Sequence, residues 1–131
     1  MSKEDVIGMA KRMKQAFKHV QCFVVEKQEL QLAKKAINEI GLFGLVRVRL
    51  ADPKYPLLYV IEPDLRDCEK DCEKKALKAI AEGRVKEELK KQFLVDFIRQ
   101  CLNFCEHERV KEILSRIEEY IRGKGGKSTK E

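Results

Sequence analysis

At 131 residues the chain has the size of one domain, and its 44% hydrophobic and 38% charged residues describe a globular protein with a highly charged surface. No apolar run approaches the roughly 18 residues that a bilayer-spanning helix needs. The charged start, residues 1–5, does not have the pattern of a signal peptide. We therefore expect a cytoplasmic protein with no membrane partner.

The composition also favours a hot environment and a polyanionic partner. Charged residues are abundant, whereas Ser and Thr occupy only Ser2, Ser115, Ser128 and Thr129, a bias typical of hyperthermophile proteins. Intracellular disulfides are common in hyperthermophilic archaea, although they are rare in mesophiles. The formal net charge of +6 suits nucleic acid, but solvated surfaces of thermophile proteins carry similar charge.

The first third of the chain predicts a helix, a short strand and a second helix. From Lys3 to His19, apolar residues recur three and four positions apart, which is the pattern of one helix face. The apolar run at 22–25 predicts a short buried strand. Helical spacing returns over residues 26–41 and ends at Gly41, because glycine adopts the left-handed C-terminal cap without strain.

The clearest β signal is a hairpin over residues 45–61. Its first half alternates strictly between apolar side chains and arginines, so Arg47 and Arg49 share one face. Two prolines mark the turn at 52–56, since proline cannot donate to a strand ladder. An apolar run completes the return strand.

Three further helices are predicted after the hairpin. Asp64 is a suitable N-cap for the first, which runs to a break at Gly83. The second covers residues 85–105 and the third residues 110–121. The segment 123–131 has no apolar residue and predicts a disordered basic tail.

The order of these elements predicts the fold class. A helix, a short strand, a helix, a hairpin and three helices make an α+β fold, in which a small sheet (hairpin 45–61 with strand 22–25) packs with a mainly helical bundle. We expect a single domain over residues 1–122.

The most specific motif is a matched pair of Cys-x-x-x-Cys sequences, Cys68/Cys72 and Cys101/Cys105. Cysteines four apart on a helix have β-carbons about 5–6 Å apart, which exceeds the roughly 3.5–4.5 Å of a disulfide. Two such helices that run antiparallel would pair the outer cysteines with each other and the inner cysteines with each other. This predicts disulfides Cys68–Cys105 and Cys72–Cys101.

The cysteine spacing resembles the twin Cys-x3-Cys helical hairpins of small intermembrane-space chaperones and related oxidatively folded proteins. Over residues 68–105 the resemblance implies the same bridging pattern, and it implies no activity. Two alternatives stay open. The same four thiolates could ligate zinc or an iron–sulfur cluster, or they could be four small buried side chains in a plain core. Cys22 is left over as a buried free thiol, and the disulfide interpretation needs no cofactor.

No pattern indicates catalysis. His19 and His107 lie in no recognised nucleophile motif, and the sequence contains neither a Gly-rich phosphate loop nor a helical metalloprotease pattern. We therefore expect neither an enzyme nor a small-molecule substrate.

The helix at 26–41 followed by a basic hairpin resembles the order of recognition helix and wing in winged-helix DNA-binding domains. One side of that helix carries polar residues that contact base edges and phosphates; these are Gln28, Gln31, Lys34, Lys35 and Asn38. The resemblance implies nucleic-acid binding by Lys34, Lys35, Arg47, Arg49 and Lys54. A complete winged helix has three helices before its wing, and two are predicted here.

A structural or assembly module is the second functional hypothesis, because the final helices are apolar enough to form a homodimer. Taken whole, the chain resembles the small orphan proteins of viruses that infect hyperthermophilic archaea, such as the Pyrobaculum spherical virus type. Lys/Glu-rich helices, paired cysteines, a Pro-containing hairpin and a basic tail carry this resemblance. It implies a place in the host cytoplasm or the virion and assigns no activity.

Overall fold

The computed structural model describes residues 2–125, in which four α-helices accompany one three-stranded sheet. In chain order the elements are α1 (Lys3–Val20), β1 (Phe23–Glu26), α2 (Leu30–Ile40), β2 (Val46–Asp52), β3 (Tyr55–Pro63), α3 (Arg66–Ala81) and α4 (Lys90–Gly125). Short 3-10 helices, Lys27–Glu29 and Glu87–Leu89, precede α2 and α4. The predicted α+β class is confirmed.

The chain groups into two compact units. The sheet unit comprises the residues up to Pro63 together with those from Arg109 onward, and the cysteine unit comprises Asp64–Glu108. The single domain predicted over residues 1–122 stays a prediction. Within residues 2–125, no helix combines the length and the apolar character that crossing a bilayer requires.

Helix α1 begins as its sequence predicts. Ser2 is the N-cap, and its hydroxyl accepts the Asp5 backbone N–H at 3.1 Å while the Asp5 carboxylate accepts the Ser2 N–H at 3.1 Å. This reciprocal capping box satisfies two backbone donors at the helix start. These hydrogen bonds from Ser2 lower the pKa of Asp5. The helix ends at Val20, and its C-cap residue Gln21 has φ of 61°, in the left-handed conformation.

The sheet is antiparallel, with strand order β1-β3-β2. Strand β3 is therefore central, and β1 pairs with it through Phe23 opposite Ile61. On the other edge, Arg47 of β2 lies opposite Glu62 of β3. The predicted hairpin is confirmed over slightly shifted bounds, and the short strand begins at Phe23 instead of residue 22. The sequence did not indicate which strand would be central.

The core of the sheet unit combines α1, α2, one face of the sheet and the end of α4. Fully buried side chains on α1 include Met13 and Phe17, and Ile113 and Ile117 of α4 join the same cluster. Ile61 supplies the central strand. Because the cluster needs residues from both ends of the chain, the N-terminal elements complete their core only when α4 packs against them.

The break predicted between helices 85–105 and 110–121 is wrong, since α4 is one helix from Lys90 to Gly125. The intervening residues 106–109 are Glu, His, Glu and Arg, with neither glycine nor proline to end a helix. The apolar residues of α4 move to a different side of the helix at this point, because residues up to Glu108 belong to the cysteine unit and residues from Arg109 belong to the sheet unit. The helix includes residues 123–125 of the predicted tail, and residues 126–131 lie outside the described residues.

The start of α3 differs slightly from its prediction. The N-cap position is Leu65, and Asp64 lies one residue earlier. The Asp64 carboxylate still accepts the Arg66 backbone N–H at 3.2 Å and forms an ion pair with the Arg66 guanidinium at 2.6 Å. Asp64 therefore performs the capping chemistry from the adjacent position.

Candidate nucleic-acid interface and the cysteine unit

Helix α2 has one apolar and one polar side. Its apolar side is buried in the sheet unit through Ala33, Ala36, Ile37 and Ile40. The opposite side, with the preceding 3-10 turn, presents exposed amides and ammonium groups; these are Gln28, Gln31, Lys34, Lys35 and Asn38. Within the described part of the chain Lys34 has no ion-pair partner, whereas Lys35 lies 3.9 Å from Glu39. The predicted polar side of this helix therefore faces solvent.

The start of α2 is held by α1. The Arg12 guanidinium donates two hydrogen bonds to the Glu29 carboxylate, at 2.6 and 3.3 Å, and lies 5.4 Å from the centre of the Phe23 ring. The hydrogen bond from Arg12 lowers the pKa of Glu29. Bidentate pairs of this kind restrict orientation as well as distance. They orient the turn that leads into α2.

The end of α2 is held by α4. The Arg116 guanidinium donates to the Gly41 carbonyl oxygen at 2.8 Å, and the Tyr120 hydroxyl donates to the Glu39 carboxylate at 3.0 Å. A cation at a helix C-terminus also opposes the negative end of the helix dipole. Sequence reasoning missed both residues, because they lie 75 and 81 positions from their partners.

Tyr120 is expected to make stability depend on pH in the alkaline range. Burial, followed by the hydrogen bond to Glu39, raises the pKa of Tyr120 to about 12. The folded protein therefore favours the neutral phenol, so this contribution is complete below the unfolded pKa near 10 and is lost as pH rises toward about 12. Tyr120→Phe should remove a step of tyrosinate absorbance near pH 12. Equal absorbance changes near pH 12 in the wild type and in Tyr120→Phe would contradict this.

Only a short segment separates α2 from the β-hairpin. Gly41 has φ of 85°, which glycine adopts readily, and caps the helix as predicted. The Leu42 N–H donates to the Ile37 carbonyl at 2.9 Å, and the Val46 N–H donates to the Leu42 carbonyl at 3.2 Å. Leu42 is itself fully buried. These bonds fix the β-hairpin relative to the helix that precedes it.

The two arginines of the β-hairpin share one carboxylate. Arg49 Nε lies 3.0 Å from Glu62 Oε2, and Arg47 Nε lies 3.7 Å from the same oxygen. The hydrogen bond to Glu62 raises the pKa of Arg49. Lys54 is exposed at the turn, where its backbone N–H donates to the Asp52 side chain at 2.9 Å. Glu62 was absent from the predicted site, and only the strand register identifies it.

The structure also shows how this unit differs from a complete winged helix. The 3-10 helix Lys27–Glu29 runs directly into α2, with no intervening turn. A helix-turn-helix needs such a turn between its two helices. The predicted site residues therefore lie on one full helix and one β-hairpin, and a single 3-10 turn occupies the place of the missing helix.

In the cysteine unit, α3 and α4 are joined by the two predicted disulfides. Cys68 is bonded to Cys105 and Cys72 to Cys101, with Cα–Cα distances of 6.5 and 5.9 Å. Gly83 has φ of 75° just after α3 ends, and the 3-10 helix Glu87–Leu89 follows it. This irregular connection lies between the two cysteine-bearing helices and follows the break predicted at Gly83.

Two further predictions about the cysteines concern a metal site and the free thiol of Cys22. Among residues 2–125 no group of three or more His, Cys, Asp or Glu side chains is arranged to hold a metal ion. A zinc or iron–sulfur site on Cys68, Cys72, Cys101 and Cys105 stays a hypothesis to be tested by mass measurement. Cys22 is a free thiol as predicted, but it is half-buried, because it lies just before β1 and outside the core.

Comparison with known proteins identifies no family, no curated protein and no solved structure that matches this chain.

Proposed function

We propose that the protein binds double-stranded DNA through α2 and the β-hairpin. The observation that carries the proposal is the exposed polar side of α2, followed directly by a β-hairpin that is anchored to the same core. The amides of this side, such as Gln31 and Asn38, have the donors and acceptors that read base edges. Lys34, Lys35, Arg47, Arg49 and Lys54 supply cations for phosphates.

Phosphate binding at the β-hairpin must compete with Glu62. Both Arg47 and Arg49 lie against this carboxylate in the free protein. A phosphate oxygen offers the same kind of charge-assisted hydrogen bond, so DNA would have to displace the carboxylate or bind the second side of each guanidinium. Glu62 thus weakens binding and limits it to sites where phosphates are well placed.

The direct test reverses the two arginine charges. Arg47→Glu with Arg49→Glu should weaken duplex binding at least tenfold and reduce the slope of log affinity against log salt by about two, because two phosphate contacts are lost. Lys70→Glu with Lys74→Glu is the matched control, since it changes net charge equally on the exposed side of α3. Circular dichroism establishes that both variants fold. Equal effects of the two variants, or no binding by the wild type at low salt, would refute the proposal.

A substitution at Glu62 is expected to strengthen duplex binding instead of weakening it. Glu62→Gln removes the competing carboxylate and should tighten duplex binding several-fold, with a steeper salt dependence. Glu73→Gln makes the same change of net charge at an exposed position of α3 and should have little effect. Titrations of both variants at several salt concentrations separate local release of the arginines from a general charge effect.

A second function, a protein-assembly module, is favoured by a different observation. Large apolar side chains are exposed, notably Phe43 at 86% and Phe104 at 69%. Exposed apolar surface of this kind marks interaction sites when its members are contiguous. Sedimentation at rising protein concentration tests this function, and a strict monomer would count against self-assembly. The viral origin and the place in host cytoplasm or virion stay predictions.

A further inference from the structure

We infer that a second copy of this chain packs antiparallel against the segment of α4 that follows the 3-10 turn, through an aromatic row formed by Phe93, Phe97, Gln100 and Phe104. The inference rests on the assembly function proposed above and names both its partner and its surface.

The first argument is that the cysteine unit buries almost no large side chain of its own. The buried residues of α3 are Cys68, Cys72, Ala76 and Ala79, all of them small. Over residues 90–108 of α4 no side chain is fully buried, although Phe93, Leu94, Phe97, Ile98 and Leu102 are all present. Two disulfides therefore hold together a helix pair that lacks a packed apolar core of its own. Phe93 and Phe97 are only half-buried, and Phe104 is exposed.

The second argument is the pattern of the row. Its members are spaced four, three and four residues apart, which is the alternation of a coiled-coil seam. The rings of Phe93 and Phe97 lie 5.5 Å apart, and Phe104 continues the row with 69% of its surface exposed. The three intervals are the same from the N-terminal end of the row as from its C-terminal end. A second copy in antiparallel orientation therefore places Phe93 opposite Phe104, and Phe97 opposite Gln100, in the reciprocal way that a two-fold interface requires.

The third argument is the charge beside the row. Lys90 lies at one end and Glu108 at the other, and both lie on the same flank. Within its own chain Lys90 pairs with Glu87 at 3.1 Å, and Asp96 pairs with Arg99 at 3.9 Å. Antiparallel packing adds a second carboxylate near Lys90, that of Glu108 of the second copy. Parallel packing in register would instead place Lys90, which lies three residues before Phe93, beside Lys90 of the second copy, so this charge favours the antiparallel arrangement.

The first experiment measures mass in solution. The wild type should form a dimer, and Phe104→Glu should raise the dimer dissociation constant at least about tenfold, because it places a charge against Phe93 of the second copy inside the buried seam. Val95→Glu is the control, since Val95 is 46% exposed but lies on the other side of the same helix. A wild-type monomer would overturn both this inference and self-assembly. An oligomer that survives Phe104→Glu would overturn the inference and leave the assembly function in place.

The second experiment tests orientation. Lys90 and His107 lie three residues before and after the row, so antiparallel packing places Lys90 opposite His107 of the second copy. In a Cys22→Ser background, a mixture of Lys90→Cys and His107→Cys proteins should form disulfide-linked dimers on mild oxidation, and neither variant alone should do so efficiently. Efficient self-linking of Lys90→Cys would indicate parallel packing and would overturn the inference.

Discussion

Replacement of the four disulfide-bonded cysteines of α3 and α4 by serine is expected to unfold residues 64–108. The sheet unit should retain its core under the same conditions. The disulfides close segments of 37 and 29 residues, and one loop of this size closed by a single bond contributes about 3–4 kcal/mol in the chain-entropy description. The buried side chains of α3 are small, so little apolar burial compensates for their loss. Hydrogen exchange should show lost protection in α3 and the first half of α4, with protection retained in α1.

The two disulfides should not contribute additively, because one is nested inside the other. With Cys72–Cys101 intact, Cys68–Cys105 closes only a few further residues on each side, so its loss alone should cost far less than about 3 kcal/mol. Loss of both bonds should therefore cost more than the sum of the two single losses. Denaturant melts of the two paired Cys→Ser variants and of the quadruple variant measure this. Cys22→Ser is the control, since this free thiol lies outside both bonds.

Intact mass under native and denaturing conditions decides between the disulfides and the metal hypothesis. Two disulfides lower the mass by four hydrogens and leave only Cys22 open to alkylation in the denatured, unreduced protein. A mass increase that matches zinc or an iron–sulfur cluster, together with four further alkylatable thiols and unfolding by a chelator, would contradict the disulfide assignment.

Ile117→Ala is expected to destabilise the sheet unit by about 2–5 kcal/mol, a large share of the stability of a small domain. Ile117 is fully buried in a cluster with residues of α1, α2 and the sheet, so truncation leaves a cavity between segments distant in sequence. Ile121, one turn later on α4, is only half-buried. Ile121→Ala removes the same atoms and should cost much less.

Chemical denaturation monitored by far-UV circular dichroism measures both variants. Equal losses for Ile117→Ala and Ile121→Ala would contradict the place of α4 in this core.

Truncation of the chain before the last turns of α4 is expected to destabilise the sheet unit. A chain ending at residue 108 lacks Ile113, Ile117, Arg116 and Tyr120 and should fail to form a stable sheet unit, even though α1, α2 and the sheet are all present.

Local patterns were sufficient where each element carries its own signal. The apolar face of α1, the glycine stop of α2 and the strict alternation of β2 depend on neighbouring residues, so they could be predicted from spacing alone. The cysteine pairing also followed from spacing, because two helices with equal intervals can be matched in antiparallel orientation. The continuity of α4 could not be predicted in this way, since its apolar stripe changes direction where the helix enters a second core.

Local spacing identified some residues of the candidate site, whereas others could be found only from tertiary contacts. Spacing identified Lys34, Lys35, Arg47, Arg49 and Lys54 as surface residues. Glu62 was missed, because its effect on the two arginines depends on the register between β2 and β3. Arg116 and Tyr120 were missed for a stronger reason. A contact across 75 or 81 residues leaves no periodic trace in a single sequence.

By itself, therefore, the sequence determined the first three helices, the three strands, the basic balance and the cysteine pairs, because these depend on short-range spacing and composition. The tertiary structure alone decided which strand is central, that α4 completes the core of the N-terminal elements, and that Glu62 lies between the two arginines. It also left Phe104 of α4 exposed. These features depend on contacts between segments that are distant in sequence. Such contacts form only when the whole chain packs together.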